Sequence, residues 1–269
     1  MTTPAQDLRV SLIQGDTRWH DPQANRDYYG ESLRGLRGRT DLAVLPETFT
    51  SGFSNDAIAN AETMDGATVA WLREQAGAID AAITGSVQLR QGDAVFNRLL
   101  FVTPDGRVQH YDKRHLFTFA REHERYAAGR QRLTVTWRGW RICPLVCYDL
   151  RFPAFSRNRW DTENAGGPDF DLLIYVANWP NARAYAWQTL LRARAIENVC
   201  YVAGVNRVGS DGNGLHYAGD SAVLDFMGSP LSECADRELV TTTTLQADDL
   251  QAFRARFTAL QDGDRVAWD

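Results

Sequence analysis

Leu8, Val10 and Leu12 alternate with polar neighbours, and this period of two predicts a half-buried strand ending near Gln14–Gly15. The spacing then changes, and residues 23–36 read as an amphipathic helix. A short apolar run over 41–46 predicts a buried strand, and 67–79 a second helix. Residues 81–89 and 94–102 predict neighbouring strands around the turn Gln91–Gly92–Asp93, and Pro104–Asp105–Gly106 leads into another strand over 107–111. Residues 133–137 and 140–146 form a hairpin-like pair across Arg138–Gly139. The run 171–177 is strongly apolar. Residues 184–199 carry the clearest helical pattern, with Trp187, Leu190, Leu191 and Ile196 at helical spacing. Strands are expected over 201–205, 221–226 and 239–245, and a terminal helix over 248–257. The polar stretch 161–168 reads as a surface loop. Alternating strands and helices with interspersed hairpins predict a layered α/β fold with a mixed sheet or two sheets. No repeat or long linker divides the chain, so one domain is expected over 1–269, with its core at about 8–245.

Composition narrows the class of partner. The chain has 269 residues, 44% of them hydrophobic, and a formal charge of −5. That mild acidity argues against nucleic acid or an anionic membrane as the main partner. The apolar runs fall well short of the roughly 18 residues of a membrane span. No basic stretch followed by an apolar one opens the sequence, and the four cysteines are too sparse for a disulfide scaffold, so a cytoplasmic location is expected.

Three apolar strands run directly into reactive side chains: LPETFTSGF at 45–53, YDKRHLF at 111–117 and LVCYDLRFP at 145–153. Strand ends in layered α/β folds are rigid yet face the solvent cleft. A carboxylate, an amine and a thiol placed there can form one site. Singly, each has a plainer explanation: a solvated Glu or Lys, or a Cys acting as a small core hydrophobe. Spacing does not separate Cys143 from Cys147. His115 and His123 near the lysine also allow a Cys–His dyad, against the simpler reading of His115 as a packing residue. Metal spacings such as HExxH or CxxC and Gly-rich phosphate loops do not occur.

Together the three motifs resemble the carbon–nitrogen hydrolase, or nitrilase, superfamily, over about residues 8–245. The matches at Ala193–Asn198 (ARAIEN) and Gly219–Ser221 (GDS) support it. The resemblance implies a four-layer α-β-β-α sandwich and a catalytic triad of Glu47, Lys113 and Cys147, choosing Cys147 over Cys143. It implies a second glutamate upstream of the Ala128–Gly129 corner, for which Glu122 is the better match and Glu124 the rival. It further implies pairing into a homodimer or higher homo-oligomer, and a mechanism needing no cofactor or metal. The segment Asn178–Trp179–Pro180 with Arg183, Trp187 and the ARAIEN run resembles the bacterial omega-amidase branch. That branch acts on 2-oxoglutaramate and 2-oxosuccinamate, small-molecule amides. Asn178, Trp179, Arg183, Tyr148 and Phe119 are the candidate substrate-binding residues, with Arg183 able to grip a carboxylate bidentately. Alternatives are an N-carbamoyl amino acid hydrolase, a nitrilase, or a non-catalytic binding protein on this fold.

Overall fold

A computed structural model describes residues 4–161 and 166–264. The first sheet has strand order β16-β1-β2-β3-β4-β5. Its strands are β1 (Leu8–Gln14), β2 (Leu42–Val44), β3 (Ala82–Gln91), β4 (Ala94–Val102), β5 (Val108–Asp112) and β16 (Leu239–Leu245). The second has order β15-β14-β11-β10-β7-β6. It contains β6 (Val135–Trp137), β7 (Trp140–Val146), β10 (Leu172–Ala177), β11 (Tyr201–Asn206), β14 (Ala222–Leu224) and β15 (Pro230–Glu233). Two short ribbons complete the strands, β8 (Trp160–Asp161) with β9 (Gly167–Pro168), and β12 (Val208–Ser210) with β13 (His216–Ala218).

Each sheet is built on a parallel trio, β1-β2-β3 and β7-β10-β11, flanked by antiparallel strands. Parallel neighbours need a crossover, and helices supply three of the four. Helix α1 (Pro22–Arg34) joins β1 to β2, α2 (Ala67–Ile79) joins β2 to β3, and α3 (Ala184–Asn198) joins β10 to β11. Asp21 caps α1 by accepting from the Ala24 N–H at 3.0 Å, with Pro22 at the first helical position. These two residues start the helix one residue before the apolar pattern does.

Residues of both sheets' inner faces, Leu8, Val10, Leu12, Leu99 and Phe101 against Ile142, Leu172, Ile174 and Val202, share one core. A second core lies between the outer face of the first sheet and α1 and α2, through Tyr29, Leu33, Leu72 and Ala76. The order of layers is therefore helices, sheet, sheet, helix: an α-β-β-α sandwich. Helix α3 buries Trp187, Leu191, Arg194, Ala195 and Asn198. Ile196, expected on that face, is 54% exposed because it sits about 100° round the helix from Ala195. Helix α4 (Ala247–Arg256) is the last helix among the described residues.

The ribbon β12–β13 and the edge strand β15 are structure the apolar pattern did not announce. Of the stretch read as a surface loop, 162–165 lie outside the described residues, and the flanking residues pair as β8–β9.

Candidate active site

The C-terminal ends of strands from both sheets meet at one place. Glu47 follows β2, Lys113 follows β5, Cys147 follows β7 and Asn178 follows β10. Local structure turns each side chain inward. Thr48, just after Glu47, has φ +43° and its N–H donates to Ser86 Oγ at 2.9 Å. Lys113 extends the β4–β5 ladder, donating its N–H to the Asn97 carbonyl at 3.0 Å. Its own carbonyl accepts from Gly129 N–H, where a Cβ would lie 2.0 Å from the Asp112 oxygen, so only glycine lets the two segments touch. Cys147 has φ +45°, a strained conformation for a non-glycine residue that costs about 1–3 kcal/mol.

Buried Asp149 secures that bend. Its carboxylate accepts from the Val146 N–H (3.0 Å), the Tyr111 hydroxyl (2.7 Å) and the His115 N–H (3.1 Å). It also meets His115 Nδ1 at 2.8 Å. His115 stacks on Phe152, with ring centroids 3.7 Å apart. The histidine thus ties the lysine loop to the cysteine turn, and its ring partner is Asp149 rather than the thiol. His123 is exposed.

The charged groups form one buried cluster. Lys113 Nζ donates to Glu47 Oε1 at 2.9 Å and to Glu122 Oε1 and Oε2 at 3.1 and 3.0 Å. Glu47 Oε2 accepts from the Asn178 N–H at 2.8 Å, and Glu122 Oε2 from the Phe117 N–H at 2.6 Å. Glu47, Lys113 and Glu122 are each at most 1% exposed. Glu124 points outward and pairs with Arg121, so Glu122 is the glutamate the fold brings to the lysine. Burial opposes charge on Lys113, but Glu122 and Glu47 outweigh it and hold its ammonium well above the ordinary lysine range. Burial pushes Glu122 up against the pull of Lys113. Burial and the Glu47 carboxylate push the Cys147 thiol well above its ordinary value, with Lys113 opposing.

A cavity of about 70 Å³, open to solvent at its mouth, ends on Glu47, Lys113 and Cys147. Tyr148, Asn178, Trp179 and Arg183 line it as expected positions. Trp179 is 4% exposed, and its Nε1–H donates to the Arg183 carbonyl at 2.9 Å, fixing the turn that presents the arginine. The Arg183 guanidinium lies 5.4 Å from the Phe117 ring centroid. Phe119 is a correction: it is 84% exposed and does not line the cavity. The turn at Thr118–Ala120 directs Phe117 and Ala120 to the cavity and carries Phe119 out to solvent.

Sequence reasoning did not single out Arg151, Phe117, Leu215 and Tyr217 in the wall, or Asn97 behind it. Arg151, 4.9 Å from the Trp179 ring centroid, was within the cysteine motif and legible as a cation one turn past the thiol. Leu215 and Tyr217 belong to the unannounced β12–β13 ribbon and its loop, and no local signal places them. Among the described residues no group of three or more His, Cys, Asp or Glu side chains is arranged to hold a metal ion.

Sandwich and site together define a class of hydrolase. The chain belongs to the carbon–nitrogen hydrolase family, whose model matches residues 9–255. Within it, the chain is 48% identical to the omega-amidase YafV of Yersinia enterocolitica over 96% of this chain and 97% of that one. It is 29% identical to a 2-oxoglutaramate amidase of Bacillus subtilis, over 94% of this chain and 96% of that one. Its fold superposes on XC1258 of Xanthomonas campestris, a CN-hydrolase superfamily protein with an arsenic adduct in its active site. The TM-score is 0.96 and the identity 66%, covering 98% of this chain and 99% of that one.

Proposed function

We propose that the protein is a cysteine-dependent amidase that cleaves the terminal amide of small 2-oxo dicarboxylate monoamides, 2-oxoglutaramate and 2-oxosuccinamate, releasing ammonia. The observation that carries this reading is the shape of charge in the cavity. At its floor a thiol, a carboxylate and an ammonium converge, and at its wall stand Arg183 and Arg151, neither of them in an ion pair among the described residues. A substrate with an amide at one end and a carboxylate at the other matches both. The omega-amidase and 2-oxoglutaramate amidase relatives support the same substrate class.

The geometry supports the following chemistry. Glu47 takes the Cys147 thiol proton as sulfur attacks the amide carbon. The carbonyl oxygen becomes an oxyanion, held by Lys113 Nζ and the Tyr148 N–H. Collapse breaks the C–N bond, and Glu47 returns the proton to the nitrogen, which leaves as ammonia. Glu47 next takes a proton from water while the hydroxide attacks the thioester. The acid departs and the thiol is reprotonated. Glu122 holds Lys113 in place throughout. Because the groups interact at hydrogen-bonding distance, their protons belong to the cluster rather than to single residues.

Ammonia release from a panel tests the substrate class. The panel holds 2-oxoglutaramate, 2-oxosuccinamate, N-carbamoyl amino acids and aliphatic nitriles. The two 2-oxo amides are expected to give the highest kcat/KM. Preference for a carbamoyl compound or a nitrile overturns the assignment in favour of another branch, and silence on the whole panel points to a binding protein.

A further inference from the structure

Asn97 sits in the middle of β4, on the face that carries Val95, Leu99 and Phe101. Its side chain is 1% exposed, at a position the strand's pattern otherwise gives to apolar residues. The Nδ2 group donates to Glu47 Oε1 at 2.8 Å and reaches Glu122 Oε1 at 3.4 Å. The Oδ1 atom is buried with no hydrogen-bond partner. A buried, unsatisfied carbonyl is unfavourable, and an apolar residue avoids it. The backbone carbonyl that accepts from Lys113 N–H is available to any residue. Fold stability therefore gives no reason for an asparagine here, whereas the two carboxylates do.

Glu47 and Glu122 share one ammonium, Lys113, and this leaves the cluster with a surplus of negative charge when both are ionised. A second cation would cancel that surplus and weaken the proton acceptor. A neutral donor between the carboxylates offsets their repulsion without altering the net charge. Donors are also distributed unequally over Glu47. Oε1 accepts from both Lys113 Nζ (2.9 Å) and Asn97 Nδ2 (2.8 Å), and Oε2 has one close donor, the Asn178 N–H at 2.8 Å, with Asn178 Nδ2 at 3.4 Å.

We propose that Asn97 is a positioning residue of this site: its amide bridges the Glu47 and Glu122 carboxylates, occupies Glu47 Oε1, and so assigns Oε2 as the oxygen that takes the thiol proton. This rests on the reading of Glu47, Lys113 and Cys147 as the reacting groups. The titratable groups facing the two carboxylates are Lys113, Cys147, Tyr126 and Tyr217. Burial pushes both tyrosines up, so they stay neutral across the working range. A hydrogen bond to a carboxylate favours its ionised form, so losing Asn97 makes the cluster hold its proton to higher pH.

Asn97→Leu removes the donor and the orphaned carbonyl while keeping the branch at Cγ. The thermal midpoint, measured alongside, establishes that the variant is folded. With 2-oxoglutaramate, kcat is expected to fall about ten- to a hundredfold, as for one lost hydrogen bond to an ionised group, with KM nearly unchanged. The acid limb of kcat/KM moves to higher pH, which a packing role does not produce. Asn97→Ser, which keeps a shorter donor, falls between Leu and wild type on both readouts, and it decides the matter if the Leu variant does not fold. A folded Leu or Ser variant with wild-type kcat and an unmoved acid limb overturns the proposal. Glu47→Gln and Cys147→Ala, measured alongside, separate the two levels: if they too turn over normally, the reading of the reacting groups fails. If they are inactive, only the role of Asn97 does.

Discussion

Cys143 and Cys147 are four residues apart, and their surroundings divide them. Cys143 lies in the core, where burial pushes its thiol up to about 12, and no partner in the charged cluster reaches it. Cys147 stands at the cavity floor beside Glu47 and Lys113. Cys147→Ala is therefore expected to abolish ammonia release, and Cys143→Ala to keep most of it; the reverse outcome contradicts the assignment. If Arg183 grips the substrate carboxylate as proposed, Arg183→Ala loses a charge-assisted contact worth about 1.5–3 kcal/mol, and kcat/KM on carboxylated amides is expected to fall roughly ten- to a hundredfold. Neutral amides lose little, and an equal loss on both shows that Arg183 does not read the carboxylate. The motif residues were legible because each lies just past the C-terminal end of a strand, inside a run that resembles a family motif. Glu122 was not separable from Glu124 by position, since only the turn at Glu122–Glu124 decides which one points inward. Asn97 was hidden because one polar residue inside an apolar strand looks like noise until its partners, 25 and 50 residues away in sequence, are seen.

At the scale of elements, the strands and helices with strong periodicity were readable, and their ends were set by details the period does not carry. The β6–β7 turn was visible in Arg138–Gly139, both of which adopt positive φ (48° and 81°), as a two-residue hairpin turn requires. By contrast, β12–β13 and β15 are short and half-exposed, so no apolar run marked them. Helix α3 illustrates how packing selects among apolar residues: Trp187 and Leu191 lie over Gly204 of β11, and Ile196 faces out. A Cβ on Gly204 would stand 2.5 Å from Leu191 Cδ1 and 2.9 Å from Trp187 Cζ2. Gly204→Ala is expected to destabilise the protein by about 1–3 kcal/mol through overpacking. Chemical denaturation checks it, and an unchanged midpoint means α3 can lift without cost.

For the whole molecule, the sandwich brings four distant segments to one cavity, and the same burial makes it sensitive to alkali. Burial pushes the thiols of Cys143 and Cys234 up to about 12 and about 11, while in the unfolded chain a thiol ionises near about 8.5. Folded values above unfolded ones mean that the folded state holds more protons between them. The stability contribution is thus complete below about pH 8.5 and is lost as pH rises toward about 11–12. The denaturation midpoint is expected to fall between about pH 8 and about pH 10.5, and less steeply in Cys143→Ala; equal slopes remove the thiol from the explanation. The central claim concerns Cys147, and its most direct test is to quench the reaction with 2-oxoglutaramate during turnover and map the acylated peptide by mass spectrometry. An acyl group is expected on the Cys147 peptide and disappears as substrate is exhausted. Turnover with the acyl group on another residue, or undiminished ammonia release by Cys147→Ala, contradicts it.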